Sequence, residues 1–361
     1  MKRSVVFLLP SLWGGGSERV FLNLCKHLDK NKFDVTLCLL KKEGEFLSHI
    51  GSNPSFQIHD LGVSRVRYSI LPIVKYLRKV KPDVVISTLG HLNAILSAIS
   101  FVIPKKVKLI GRESNIVSMS NHNKITLLLY RYFYKNFDKV VVQSNDMEVD
   151  LKKVVKNFKE NQIVKINNPV DLDSIVKAKD TANALLPKDK INLISVGSLT
   201  HQKGYDILLK SFARFHNKNK YHITILGRGK LLDELNKLAI KENVDKNVSF
   251  IGFKPNPYEY IAQSSIFISS SRFEGFPNVV LEALTCDVPV IANSYKGGID
   301  EILNKPILGK IIDLKKSDVF ESTCEEILSR DLPKGCLSKE INQMYGIAAI
   351  VKKYEMLILN I

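Results

Sequence analysis

The segment IFISSSRFEGFPNVVLEALTCDVPVIA, residues 266–292, decides the architecture. Residues 266–269 are an apolar run of strand length, and residues 288–292 are another. Between them, Gly275-Phe276-Pro277 reads as a turn that opens a helix, with Pro277 at the first helical position, where its missing N–H costs nothing. Strand, helix and strand in this order predict a parallel crossover. The first turn of such a helix offers amide donors and the positive end of the helix dipole, which together seat a phosphate.

Two carboxylates frame that turn. Glu274 lies in the loop, and Glu282, eight positions on, falls roughly one and a half turns into the helix. Carboxylates pair poorly with phosphate and well with hydroxyls. A nucleotide sugar has this layout, with ribose hydroxyls on one side of its diphosphate and sugar hydroxyls on the other. Acidic residues also complement a helix N-terminus by themselves, so the motif gains its meaning from the whole segment.

The same rhythm extends outward. In the second half, strands are expected over 191–196, 221–226 and 248–251, with helices over 205–216 and 230–242. In the first half, strands are expected over 4–10, 33–40, 84–88, 106–110 and 139–143, with helices from Ser17, over 70–80 and over 125–137. Asn167-Asn168-Pro169 marks a break, and 181–189 reads as a linker. The chain is therefore α/β, with two Rossmann-like, doubly wound parallel-sheet domains facing a central cleft. The expected division is 1–170 and 171–344, with a C-terminal helix, 345–361 of a helical run starting near 341. At 361 residues the chain exceeds a single ordinary core. Ligands of such sheets lie beyond the carboxyl ends of the strands, where the glycine-rich turns of this sequence fall.

Composition narrows the class. The chain is 45% hydrophobic and 25% charged, which is globular. Five cysteines without a Cys-x-x-Cys argue against a disulfide framework or a zinc ribbon, and fit a reducing cytoplasm. The expectation is a soluble or peripheral cytoplasmic protein without a signal peptide, since the longest apolar stretch, 92–103, is too short to span a bilayer. Net charge is +17, and residues 1–180 carry 29 Lys/Arg against 16 Asp/Glu. A basic half implies an anionic partner.

Further turns carry candidate ligands. Gly14-Gly15-Gly16 follows the first strand and lets a ligand approach the backbone. It lacks the full G-x-G-x-x-G spacing, and no acidic residue follows the second strand, which argues against a nicotinamide dehydrogenase. In VGSLTHQKGYDILLKSF, residues 196–212, Gly197 ends a strand and Lys203 precedes a helix, so its ammonium can reach a diphosphate oxygen. ILGRGK, residues 225–230, places Arg228 as a second cation. Asp171-Leu172-Asp173 imitates a metal-binding Asp-x-Asp but precedes a helix, so an N-cap is the better reading. No metal ligand set is expected, and no cofactor.

Taken together, Gly-Gly-Ser-Glu at 15–18, the HQKGYD loop, GRGK, EGFPNVVLE and KGGIDEI at 296–302 resemble family-4 glycosyltransferases of the GT-B fold over almost the whole chain. The resemblance implies a metal-independent, retaining hexosyltransferase whose C-terminal helix packs back on the first domain. It implies that Glu282 binds ribose hydroxyls, Glu274 contacts the donor sugar, and Lys203 neutralises the leaving diphosphate. Backbone amides at Phe276, Asn278 and Val279, beside Gly275 and Pro277, would approach the diphosphate or sugar, and Gly15 and Gly16 would admit the diphosphate from the other side. His91 would face the transferred sugar, and Phe253 would lie near the base. Arg112 and Glu113, in GRESNI, would meet acceptor or donor. Relatives usually carry Arg where this chain has Ser198, which leaves the clamp one cation short unless Arg228 substitutes.

The implied partners are a nucleoside-diphosphate sugar, UDP before GDP, and a saccharide acceptor, lipid-linked, in surface polysaccharide or oligosaccharide assembly. Residues 64–81 and 124–139 mix Lys/Arg with Leu, Ile, Tyr and Phe, as a segment lying on an anionic membrane does. Ordinary amphipathic helices have the same pattern. Same-fold alternatives are a sugar-nucleotide epimerase, a phosphorylase and a catalytically silent nucleotide-sugar-binding protein. No nucleic-acid-binding signature is present.

Overall fold

The computed structural model describes residues 2–51, 53–120, 123–179, 186–316 and 319–361. The chain divides into two compact units, one of Met1–Pro169 with Ile347–Ile361 and one of Val170–Gly346. Residues 181–185 of the expected linker lie outside the described residues.

The first unit has seven strands: β1 (Arg3–Leu9), β2 (Phe33–Leu39), β3 (Gln57–Asp60), β4 (Val84–Thr88), β5 (Lys108–Arg112), β6 (Lys139–Val142) and β7 (Ile163–Lys165). Their order is β3-β2-β1-β4-β5-β6-β7, and every pairing is parallel. Helices α1 (Gly16–His27), α2 (Ile70–Val80), α3 (Gly90–Ala98), α4 (Lys124–Phe133) and α5 (Asn145–Val154) pack on the sheet. A central parallel strand is apolar throughout because both its faces are covered, and all five residues of β4 are buried. Alternation along β1 separates two cores. Val5, Phe7 and Leu9 pack with α1, while Val6 and Leu8 face the layer formed by α2 to α5.

The second unit has six strands: β8 (Ile191–Val196), β9 (Tyr221–Leu226), β10 (Val248–Gly252), β11 (Ile266–Ser269), β12 (Val290–Asn293) and β13 (Gly309–Ile312). They are again all parallel, in the order β10-β9-β8-β11-β12-β13. Its helices are α6 (Leu172–Lys179), α7 (Tyr205–Phe212), α8 (Leu232–Lys241), α9 (Tyr258–Ile261), α10 (Asn278–Thr285), α11 (Ile299–Ile302), α12 (Val319–Leu328) and α13 (Cys336–Tyr345). One face of the sheet packs on α6, α10 and α13, and the other on α7, α8 and α12.

The chain then contributes α14 (Ile347–Leu359) to the first unit, where Ile350, Val351, Tyr354 and Ile358 join the core beside α1. The expected single helical run from 341 is thus two helices. Gly346 between them is extended, with φ −56° and ψ 144°. The Tyr345 carbonyl accepts the Val170 N–H at 2.8 Å instead of continuing a helix.

Candidate active site

Each sheet reverses its strand order once, between β1 and β4 in the first unit and between β8 and β11 in the second. Loops leaving the carboxyl ends of two such strands diverge and open a crevice. In the second unit these loops are 197–204 and 270–277, and they carry Lys203 and Glu274.

The carboxylate of Glu274 is held by three donors. Lys203 Nζ donates to its Oε1 at 2.7 Å, Ser271 Oγ donates to the same oxygen at 2.6 Å, and Gln202 Nε2 donates to Oε2 at 3.1 Å. Together they fix one orientation of a buried side chain. The loops that present these groups are locked to each other. Gly204 has φ +64°, and a Cβ there would lie 2.1 Å from the Ser270 carbonyl oxygen. Arg272 forks onto Asp206 at 2.8 and 2.6 Å and also donates to the His201 carbonyl at 2.8 Å. This guanidinium holds the Asp206 carboxyl below the usual range.

On the far side, Glu274 N–H donates to the Lys296 carbonyl at 3.0 Å. Gly297, at φ +120°, lies so close that a Cβ would sit 1.7 Å from the Glu274 carbonyl oxygen. Tyr205 and Tyr295 close the floor: the first donates to the Gly197 carbonyl at 3.1 Å, and the second shares a 2.8 Å hydrogen bond with Ser269 Oγ. Burial, with the charge of Glu274 adding, raises both phenol pKa values.

Helix α10 starts just beyond. Its first residue is Asn278, and Pro277, with φ −77° and ψ 88°, is the N-cap; the expected first helical position is corrected by one residue because that ψ lies outside the helical range. Phe276 turns into the core, its ring edge-on to Tyr345 at 5.5 Å, and Gly275 is buried beside it. Val279 is the second residue of the helix, and Glu282 is its fifth and is buried. Near the carboxyl end of β8, Ser198 is exposed, and the Lys203 stem lies against Gly197, where a Cβ would be 2.9 Å from Cε. Leu199 N–H bonds the Arg228 carbonyl at 3.0 Å, so Arg228 stands beside Ser198, its guanidinium over the Phe253 ring at 5.0 Å.

In the first unit, Gly15 caps α1 and Gly16 begins it. The Glu18 carboxylate turns back to accept the Gly15 N–H. Burial raises the Glu18 carboxyl pKa, opposed by backbone hydrogen bonds from Gly15, Gly14 and Trp13. The expected glycine cradle is thus lined by an acid. At the end of β4, Leu89 has φ +73°, a strained backbone for this side chain, and it caps the helix in which exposed His91 stands second.

Arg112 and Glu113 lie at the carboxyl end of β5. Neither is presented beyond the sheet; both are buried, at 1% and 2% exposure. Arg112 donates to Thr88 Oγ1 at 3.1 Å and to Asn168 Oδ1. Glu113 accepts from Tyr130 at 3.1 Å, from Asn93 Nδ2 at 3.2 Å and from Tyr134. Burial pushes its carboxyl up to about 7. Asp171 accepts from Ser174 N–H at 3.2 Å and Oγ at 2.6 Å, the geometry of an N-cap. Among the described residues no group of three His, Cys, Asp or Glu side chains could hold a metal ion.

Gln202, Ser271 and the Asp206–Arg272 pair had no signal of their own in the sequence. They become visible only when the loops after β8 and β11 are placed side by side.

Two Rossmann-like parallel-sheet units, each with its loops gathered at a strand reversal, define the GT-B fold class. The sequence matches the family "Glycosyltransferase Family 4" over residues 14–174 and "Glycosyl transferases group 1" over residues 176–343. An uncharacterized glycosyltransferase of Methanocaldococcus jannaschii is 33% identical over 250 residues, 64% of this chain and 60% of that protein's length. The N-acetylgalactosamine-N,N'-diacetylbacillosaminyl-diphospho-undecaprenol 4-alpha-N-acetylgalactosaminyltransferase of Campylobacter jejuni is 28% identical over 353 residues, 92% of this chain and 91% of that one. Among solved structures, HepE of Anabaena in complex with UDP and glucose aligns with a TM-score of 0.79 at 15% identity, covering 99% of this chain and all of that one. This chain belongs to the GT-B glycosyltransferases.

Proposed function

We propose that the protein is a retaining, metal-independent glycosyltransferase that moves a hexose or N-acetylhexosamine from a UDP-sugar to a lipid-linked saccharide. The setting is surface polysaccharide or oligosaccharide assembly at the cytoplasmic face of a membrane. The observation that carries this reading is the three-donor anchoring of Glu274 at the strand reversal, next to the start of α10 and with Glu282 buried in that helix. The UDP and glucose bound to HepE support the donor class, and the diphospho-undecaprenol in the Campylobacter enzyme's name supports the acceptor class.

In this reading Glu282 takes the ribose hydroxyls and Glu274 takes the hydroxyls of the transferred sugar. The diphosphate lies at the start of α10, stabilised by the helix dipole. Lys203 has three N–H donors, of which one serves Glu274. The others face the leaving phosphate, where charge builds as the bond from the anomeric carbon to the phosphate oxygen breaks. The acceptor oxygen bonds to the same face of that carbon, and its proton passes to the departing phosphate. Arg228, beside Ser198, adds the second cation, with Phe253 at the base.

The test is a UDP-release assay across a panel of UDP-sugars, with and without polyprenyl-diphosphate saccharides, in the presence of a chelator. Acceptor-dependent release that survives the chelator, with the donor's anomeric configuration kept in the product by NMR, is expected. Product formation without any acceptor, an inverted anomer or loss of activity on chelation would each overturn part of the reading.

A further inference from the structure

The helical layer over one face of the first unit turns its inner residues to the sheet and leaves an unusual outer surface. Of the nineteen exposed large apolar side chains among the described residues, eleven fall between Tyr68 and Phe133. Leu71 on α2, Phe101 after α3 and Ile125 on α4 are 79%, 80% and 69% exposed. These segments are neighbours. Arg78 on α2 donates to the Val102 carbonyl at 3.0 Å, Asn136 after α4 donates to the Ser97 carbonyl of α3 at 3.3 Å, and all share the core beneath.

The charge on this layer is as uneven. Residues 64–139 hold 14 Lys/Arg and three acids, a net +11 of the chain's +17. The three acids are all engaged, and two of the cations with them: Glu113 and Arg112 are buried, Asp83 accepts from Ser4, and Asp138 pairs with Lys108 at 3.0 Å, which leaves twelve other Lys/Arg in the span. The outer surface therefore intersperses cations with apolar side chains. Lys75 stands one turn from Leu71 on α2, and Lys124 adjoins Ile125.

We infer that this face, formed by α2, the turn after α3 and α4, docks onto an anionic phospholipid surface. A headgroup layer accepts this mixture, since apolar tips enter the acyl boundary while cations stay with the phosphates. The buried centre of a protein–protein interface is instead depleted of charge. Single-stranded nucleic acid would need aromatic platforms, whereas seven of the eleven, Ile70, Leu71, Val80, Met119, Ile125, Leu127 and Leu128, are aliphatic, and the rings of Tyr68, Phe101, Tyr132 and Phe133 also suit a headgroup boundary. The inference deepens the proposed function and rests on that reading only for its purpose, because a lipid-linked acceptor is presented at such a surface. Its evidence is the first unit's own surface.

Sedimentation of the full chain with phosphatidylglycerol/phosphatidylcholine vesicles tests it, against pure phosphatidylcholine vesicles. Binding to the anionic vesicles at about 0.1 M salt, lost at about 1 M where the screening length falls from ~10 Å to ~3 Å, is expected. Leu71→Ser with Phe101→Ser, and separately Lys75→Glu with Lys105→Glu, should each weaken partitioning about tenfold or more. Both pairs should keep the thermal shift given by UDP, which shows that they fold. Absence of binding at low salt, equal binding to neutral vesicles or unchanged binding of both variants would overturn the inference. So would concentration-dependent self-association relieved by Phe101→Ser without vesicle binding, which would make a second copy the occupant. Vesicle binding by a chain that shows no UDP shift would leave this surface standing and remove the donor reading instead.

Discussion

Lys203 and Glu274 lie 71 positions apart in the chain, yet the ammonium of one is 2.7 Å from a carboxylate oxygen of the other. Both are largely buried, at 17% and 10% side-chain exposure. The pair joins the loops after β8 and β11, the two strands flanking the reversal of the sheet. It sets the proposed phosphate cation beside the proposed sugar-binding acid.

Lys203→Ala should separate chemistry from stability. Glu274 would keep Ser271 and Gln202 as donors, so the fold should lose only about 1–2 kcal/mol. Turnover should fall about a hundredfold to a thousandfold. Steady-state kinetics beside urea denaturation check this; near-normal turnover would remove Lys203 from the mechanism.

Gly297→Ala should act on Glu274 through the backbone. The added methyl meets the Glu274 carbonyl oxygen at 1.7 Å, and the φ of +120° is unfavourable to alanine. A loss of about 1–3 kcal/mol or more is expected, with weaker binding of UDP-sugar. Unchanged melting and unchanged affinity would mean that the 296–298 loop yields freely.

Arg272 and Asp206 give an acid-sensitive tie. Asp206 has its carboxyl pKa lowered, so the pair's contribution is present above the ordinary aspartate pKa of about 3.9 and is lost as pH falls through the lower folded value. The melting difference between wild type and Asp206→Asn should therefore shrink in strong acid. The pair is partly exposed, so at neutral pH the difference should be modest, about 1 kcal/mol or less. A difference that is flat across the acid range would dismiss the ion pair.

Glu113 predicts the opposite slope. Its folded carboxyl titrates near 7, above the unfolded value of about 4.3. The folded chain then holds a proton that the unfolded chain releases, and this contribution to stability is lost as pH rises from about 4.3 through 7. Glu113→Gln keeps the shape and removes the titration. It should gain on wild type by up to about 1.4 kcal/mol per pH unit across that window. Parallel stability profiles for the two proteins would place the charge elsewhere.

The repeating strands and helices were legible because burial on two faces writes itself into composition. The expected spans for α2, β4, β8, β9 and β11 coincide with those in the structure. Three short outer strands, β3, β7 and β13, left no signal, since Gln57, Lys165 and Lys310 are exposed and leave each strand at most two consecutive apolar residues. Helix α3 was read only as an apolar stretch, because it is buried on several sides and shows little amphipathic contrast. At the site, Glu274, Glu282 and Lys203 stood out by residue type and spacing. Ser271 and Gln202 did not, since their role is to hold Glu274 and depends on contacts between distant loops. The buried partners of the Arg112–Glu113 step, Thr88, Asn168, Tyr130 and Tyr134, were hidden for a related reason: they come from distant parts of the chain.

The central claim is that the acids at 274 and 282 grip the two ends of a nucleotide sugar. Calorimetric titration of UDP and of UDP-sugars into wild type, Glu282→Ala and Glu274→Gln tests it most directly. Glu282→Ala should weaken UDP itself about tenfold or more, whereas Glu274→Gln should leave UDP affinity near wild type and erase the added affinity of the sugar. UDP binding that ignores Glu282, or no binding of any nucleoside diphosphate to the wild-type chain, would contradict it.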